Sequence, residues 1–444
     1  MQATNIAPSR AHGLRVGADR DATYRKITWR LIPLLFLCYV LNYVDRINIG
    51  YAQLQMKDAL GFSDAVYGLG AGVFFLGYFL LEVPSNLLLQ RIGARKTMLR
   101  IMVCWGLVSA ATMFVKTPVQ FYAMRFLLGV FEAGFFPGIV LYLTFWYPAA
   151  RRARIVALFM TATVVAGIVA GPISGWILQN MDGVHGLRGW QWMFLLEGLP
   201  SCVLGIVVYR FLDDRPLDAS WLSDEEKGLV ESDMAQAARD SAGARESASG
   251  AFTDPKVYLL CFASFAVLCG GYALSFWLPT MIKGLGVGSI QQIGLYSVIP
   301  YAIGALAMVW YGRRSDARKE RRRHFAVACL LGAIGLFGST FTTQSLWASL
   351  ALLSLASAGI VSALPVFWAA STSYLSPRTA AAGIAIITSV SNLAGVASPY
   401  VLGLIKTATG SLSAGLAAIA GLLVLGALAL MMGFKCHTDE GVPE

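Results

Sequence analysis

The sequence predicts an all-α membrane protein with twelve transmembrane helices in two six-helix repeats. Three observations predict it. The 444 residues are 57% hydrophobic and only 14% charged, with mean hydropathy +0.62, far from the balance of a soluble chain. Apolar runs long enough to cross a bilayer as a helix recur from 29–52 through to 412–434, twelve in all. The halves also repeat: Asn86 and Gly312 open matching polar loops, Pro137 matches Pro365 and Pro172 matches Pro399, each pair 226–228 residues apart.

The order of segments follows. Residues 1–28 are a polar N-terminal tail without the apolar core of a cleavable signal. Residues 29–212 hold spans one to six, 213–255 are a polar linker, 256–434 hold spans seven to twelve, and 435–444 are a second tail. In the linker, Ser223-Asp-Glu-Glu226 has the form of a capping box that starts a surface helix. Ser241 to Gly250 is small and polar, the composition of a flexible connection.

A net charge of +10 would suit nucleic acid, but its distribution argues against that partner. Arg91, Arg95 and Lys96, then Arg151, Arg152 and Arg154, then the run from Arg313 to Arg323 all fall in loops on one side. The other side carries only Lys57, Lys116, Arg188, Lys283 and Lys406. Basic loops stay in the cytoplasm, so the expected location is the inner membrane with both termini inside. The seven cysteines have no paired or metal-like spacing, and the four histidines avoid the middles of spans. No nucleophile–base set, metal spacing or nucleotide loop is present, so neither an enzyme nor a cofactor is expected.

The stretch Tyr39 to Gly50 organises the rest, because Asp45 and Arg46 lie side by side inside span one. A charge at mid-membrane costs ~2.5–3.5 kcal/mol and is kept where it has a partner, a wet cavity or a task. The plain reading is a structural ion pair between helices; the functional one is an anion and proton site. Span four adds Arg125 and Glu132, seven residues apart and so on one helix face. Unmatched, the four charges would cost roughly 10–14 kcal/mol, comparable with the whole stability of a typical protein.

Several stretches together resemble a known family. The loop Asn86–Lys96 is similar to the inner-loop motif of the major facilitator superfamily, with Gln90 where an Asp is usual and Asn86 where a Gly is usual. Asn42-Tyr-Val-Asp45-Arg46, Glu82-Val-Pro84-Ser85-Asn86 and Arg125-Phe-Leu-Leu-Gly129-Val-Phe-Glu132-Ala-Gly134-Phe-Phe-Pro137-Gly138 resemble its anion:cation symporter family. Phe276-Trp277-Leu-Pro279 and Pro365-Val-Phe-Trp368 are similar to that family's second half. The resemblance covers essentially the whole chain, and the bacterial branch for tartrate, aromatic acids and sugar acids looks closest.

That resemblance implies a carrier for an organic carboxylate, with the span-one Arg binding the anion and the span-one Asp and span-four Glu handling protons. It also implies that spans one and four are neighbours. On that basis crossed pairs are expected, Asp45 with Arg125 and Arg46 with Glu132. Arg46 offers a planar fork for a carboxylate; Glu132 occupies it until protonated, and burial favours the neutral acid. Asp45 is the expected second proton site, gated through Arg125. Spans seven to twelve have no ionisable group at mid-span, so they contribute neutral groups: Asn392, Trp277 and Trp368 are candidate substrate contacts, with Tyr272 and Tyr374 as further cavity walls. Tyr43 and Tyr78 are candidates beside Arg46. For Asn392 an interhelical bond is an equal alternative, and the aromatics have packing or interface anchoring as theirs. Glu82 is read as a latch on the basic inner loop and Glu197 as half of a pair near an interface.

The expected partners are therefore a small organic anion, protons and the lipid bilayer, in a monomer sufficient for transport. The resemblance implies a span-five amide in sugar-acid carriers, whereas Phe159-Met160-Thr161-Ala-Thr163 offers only hydroxyls here, which leans the cargo towards a tartrate-like dicarboxylate or an aromatic acid. Two alternatives stay open: a proton-driven efflux antiporter for amphipathic compounds, and an anion sensor that does not transport.

Overall fold

Lipid offers backbone groups no hydrogen-bond partners, so spanning segments must satisfy their own. The computed structural model describes residues 7–241, 252–318, 320–375 and 380–433, and those residues contain helices and no strand. Of the linker read at 241–250 only Ser241 is among them, and the tail at 435–444 lies outside the described residues.

Span one is α1 (Ala7–Ile47) continued by α2 (Ile49–Leu60). Span two is α3 (Asp64–Ile92) and span three α4 (Ala94–Ala111). Span four is α5 (Pro118–Glu132) and α6 (Phe135–Trp146). Spans five and six are α7 (Ala149–Asn180) and α8 (Gly189–Phe211), followed by the surface helix α9 (Asp224–Ser241). Spans seven to ten are α10 (Pro255–Lys283), α11 (Ile290–Arg318), α12 (Arg321–Ser339) and α13 (Leu346–Tyr374). Span eleven is α14 (Ala380–Asn392) with α15 (Ala394–Thr409), and span twelve is α16 (Ser413–Gly433). Eleven of these are long and apolar enough to cross a membrane. The twelfth, α12, opens on three arginines that lower its apolarity, and it packs against spans ten and twelve.

Local chemistry sets the helix ends. Ser63 accepts a hydrogen bond from the Val66 amide at 3.2 Å, and Thr117 accepts one from Gln120 at 3.3 Å ahead of Pro118. The expected capping box at α9 is present: Glu226 N donates to Ser223 Oγ at 3.2 Å and Ser223 N to Glu226 Oε2 at 2.8 Å. Glu226 also takes Lys26 Nζ at 2.7 Å, which ties α9 to the start of span one.

The two repeats meet along a seam of small residues. Gly68 lies against the Pro399 carbonyl, Gly72 against Val396, and Gly171 and Gly294 against each other's carbonyls. At each of these positions a Cβ would meet the neighbouring backbone at 2.9 Å or less, so the spans cross backbone to backbone. Tyr67 Oη adds a hydrogen bond to the Phe276 carbonyl at 2.8 Å, and Gln53 Nε2 donates to Thr280 Oγ1. All of these contacts lie in the half of the molecule nearer the turn between spans one and two, so the seam is sealed at that face.

Three spans are interrupted near their middles: span one at Asn48, span four at Ala133–Gly134 and span eleven at Leu393. In span four the cause is local. Gly134 has φ +87°, where a side chain is strained, and a Cβ there would meet Ser85 Cβ at 2.6 Å. Gly134→Ala is therefore expected to lower stability by about 1–2 kcal/mol from conformation alone, with more from the clash. Thermal unfolding followed by size-exclusion chromatography checks this, and an unchanged melting point would contradict the interruption.

Candidate substrate and proton site

The interruptions place the charges. Arg46 stands two residues before Asn48, and Glu132 is the last residue of α5. The Arg46 guanidinium meets the Glu132 carboxylate: Nε donates to Oε1 at 3.1 Å, and Nη2 closes on the same oxygen. Glu132 is completely buried, whereas the Arg46 side chain keeps 15% of its surface exposed. The other carboxylate oxygen, Oε2, has no hydrogen-bond partner. The guanidinium also lies over two rings of span two, with Cζ 5.3 Å from the centroids of both Phe74 and Tyr78. A cation is thus held by one carboxylate oxygen and two aromatic faces, and part of its fork remains reachable.

The second crossed pair does not form. Asp45 turns away from span four into the interior of the first repeat. It accepts from Trp105 Nε1 at 2.9 Å, Ser109 Oγ at 2.7 Å, Asn48 Nδ2 at 3.3 Å and Ser201 Oγ at 3.4 Å. The reason is helical geometry: neighbouring residues point about 100° apart, so Arg46 can face span four only if Asp45 faces spans three and six. Four neutral donors do for Asp45 what a cation was expected to do.

Arg125 is left without an acid. Its Nε donates to the Gly70 carbonyl at 3.4 Å, and its Cζ sits 5.1 Å from the Phe74 ring. Both terminal nitrogens are buried without hydrogen-bond partners. Two guanidiniums therefore share Phe74, one neutralised by Glu132 and the other carrying unspent donors.

The remaining candidates fall into three groups. Tyr43 and Tyr78 are half-buried beside the charged pair, and Tyr78 touches it directly. Asn392 ends α14 at the break in span eleven, half-buried, and among the described residues it makes no hydrogen bond to Arg46 or Glu132. The aromatic candidates of the second repeat are otherwise placed than expected. Trp277 is fully buried in the seam, edge-on to Tyr67 at 5.1 Å, with Lys406 Nζ 5.4 Å above its ring. Trp368 packs on Phe367, one turn before Thr372, and Tyr374 donates to Asp254 at the start of span seven. None of these three reaches Arg46.

Tyr272 does approach it. Its ring packs on Phe75 at 4.7 Å, and its hydroxyl lies in the field of Arg46 and Glu132. Phe74 and Tyr272 were undervalued by sequence reasoning. Phe74 lies one turn before Tyr78, a spacing that puts both on one face; for Tyr272 no comparable signal existed. Among the described residues Glu82 makes no ion pair with the basic loop, and Arg95 of that loop donates to the Tyr209 carbonyl at 2.9 Å and, through its backbone N, to Asp214 at 2.9 Å. Glu197 has no cationic partner among the described residues; it is buried and accepts from Ser174 Oγ at 2.7 Å.

A bundle of membrane helices enclosing an arginine whose charge is balanced internally has the construction of a solute carrier. The sequence model described as Major Facilitator Superfamily matches residues 35–399, and the chain belongs to that superfamily. It is similar to a putative metabolite transport protein, NicT, of Pseudomonas putida, with 45% identity over 94% of this chain and 96% of that one. It is equally similar, at 45% identity over 94% and 96%, to a putative tartrate transporter of Agrobacterium vitis. A quinolone resistance transporter of Acinetobacter baumannii is 41% identical over 88% of this chain and 90% of that one. Among solved structures, the xylose transporter XylE of E. coli in a partially occluded inward-open conformation shares the fold, with TM-score 0.73 and 14% identity over 94% and 99% of the chains. The protein is a multi-pass membrane transporter for a small molecule and not an enzyme.

Proposed function

We propose that the protein takes up an organic carboxylate together with protons, across the bacterial inner membrane, with both termini in the cytoplasm. The observation that carries this reading is the Arg46 fork occupied by the protein's own buried Glu132. A carboxylate cargo and the Glu132 carboxylate compete for one guanidinium. Protonating Glu132, at the unpartnered Oε2 or at the oxygen it withdraws from Arg46, removes its claim on the fork. Cargo and proton then arrive together, and both leave when the site faces the other side. Asp45, held by four neutral donors, is the second proton site in this scheme, without a gating role for Arg125.

Arg125 supports a cargo with two anionic groups. Its terminal nitrogens are buried without hydrogen-bond partners against the same Phe74 ring as Arg46, which makes Arg125 the proposed second anchor for a tartrate-like dicarboxylate once the site opens to it. The relative described as a putative tartrate transporter agrees with this choice. The bundles 29–212 and 256–434 rock against each other in one monomer, opening the face that is sealed here. Proton-driven export is the second reading, favoured by the relative described as a quinolone resistance transporter.

Reconstitution in liposomes with an imposed pH gradient separates the two. Accumulation of tartrate or an aromatic acid inside acid-outside vesicles is the expected result. Export of a quinolone with no carboxylate uptake would replace the symport reading with the second one. In the same assay Arg125→Gln is expected to raise the KM for tartrate by about tenfold or more and that for a monocarboxylate much less. Equal losses for both would remove Arg125 from cargo recognition.

A further inference from the structure

A second charged cleft lies at the sealed face, away from Arg46. It has a volume of about 240 Å³ and is lined by Lys57, Lys283 and Lys406 together with the buried Asp64 and the exposed Asp58. Asp64 holds two of the three ammonium groups, Lys57 Nζ at 2.8 Å and Lys406 Nζ at 3.2 Å. Among the described residues Lys283 has only the Leu54 carbonyl, at 3.2 Å. Two cations thus pair with the buried Asp64 and a third stands apart, and with three ammonium groups against Asp64 and Asp58 the cleft keeps a positive surplus in a recess where water screens it poorly.

The cations come from both repeats: Lys57 and Asp64 from spans one and two, Lys283 and Lys406 from spans seven and eleven. Asp64 therefore bridges the seam. Beside it the Ala65 amide donates to Thr407 Oγ1 at 2.9 Å, and Gly403 lies against the Asp64 carbonyl. An anion in the cleft competes with Asp64 for Lys406 and gains Lys283 uncontested.

We propose that this cleft is an outer docking site for a small carboxylate, and that its occupancy loosens the Asp64–Lys406 tie across the seam before the anion moves on to Arg46. The proposal rests on the carboxylate-uptake reading for the identity of its ligand. The chemistry demanded is that of a compact anion carrying hydroxyl or carboxylate oxygens, which three ammonium groups and the Gln53 and Thr280 side chains lining the cleft can address.

The test is site-resolved amine labelling of the purified transporter, read by mass spectrometry, with tartrate or with the uncharged polyol threitol. Tartrate is expected to slow labelling of Lys283, threitol is not, and the protection should persist in Arg46→Ala, which lacks the central fork. Protection that vanishes in Arg46→Ala, equal protection by threitol, or none at all would each overturn the proposal. In liposomes, Lys283→Gln is expected to raise the KM about three- to fivefold with kcat unchanged and to weaken the salt dependence of uptake; an unchanged KM would overturn it. The two ideas fail separately. Wild-type vesicles that move no carboxylate would refute the uptake reading, whereas labelling reports on the cleft directly.

Discussion

Arg46→Ala is expected to abolish gradient-driven carboxylate uptake. In the proposed scheme the partly buried fork supplies charge-assisted hydrogen bonds to cargo, and truncating one member of such a pair costs about 2–5 kcal/mol, or roughly 30- to several-thousandfold in affinity. The same substitution strands Glu132, which is completely buried. A buried charge left alone destabilises by about 3–5 kcal/mol unless it takes up a proton. Loss of uptake could then be mistaken for loss of folding. The double variant Arg46→Ala/Glu132→Gln resolves this, because it removes the stranded charge as well as the fork. It should recover the melting temperature of the wild type and still transport nothing. Uptake by the folded double variant would exclude Arg46 as the anion anchor.

Under the proposed symport, Glu132→Gln should separate exchange from proton-driven accumulation. Glutamine keeps the shape and an acceptor oxygen for Arg46 but cannot bind or release a proton, so the fork is permanently available to cargo. Counterflow, in which labelled carboxylate exchanges for unlabelled across the membrane, is expected to continue. Accumulation against a gradient is expected to fall to equilibration, and an imposed pH difference should no longer drive it. Accumulation at the wild-type level would take Glu132 out of the coupling and pass that role to Asp45.

The sequence made the scaffold legible because lipid constrains it so strongly. Run length, basic-loop asymmetry and the spacing of Pro137, Pro365, Pro172 and Pro399 each reflect a rule with few exceptions. The Arg46–Glu132 contact was also reachable, from the need of a buried guanidinium for an anion together with the family resemblance, which implies that spans one and four are neighbours. What failed was the idea that every buried charge finds an opposite one. Asp45 is satisfied by Asn48, three residues on, and by Trp105, Ser109 and Ser201, which lie 60, 64 and 156 positions away, and neutral donors leave no charge pattern to read. Trp277 misled for a related reason. Its motif identified the span, but only three-dimensional packing decides whether an indole faces a cavity or plugs a joint.

The seam of abutting backbones has a mechanical meaning. Where Gly171 meets Gly294 and Gly68 meets Pro399, the contact is backbone on backbone, so parting those crossings withdraws no knob from a hole, although Trp277 and Tyr67 are buried elsewhere in the same seam. Each crossing is held by shallow dispersion forces that lose about a quarter to a half of their strength over a gap of 0.5–1 Å. A joint of this kind can be tight when shut yet part at modest cost, as the proposed rocking of the two bundles requires.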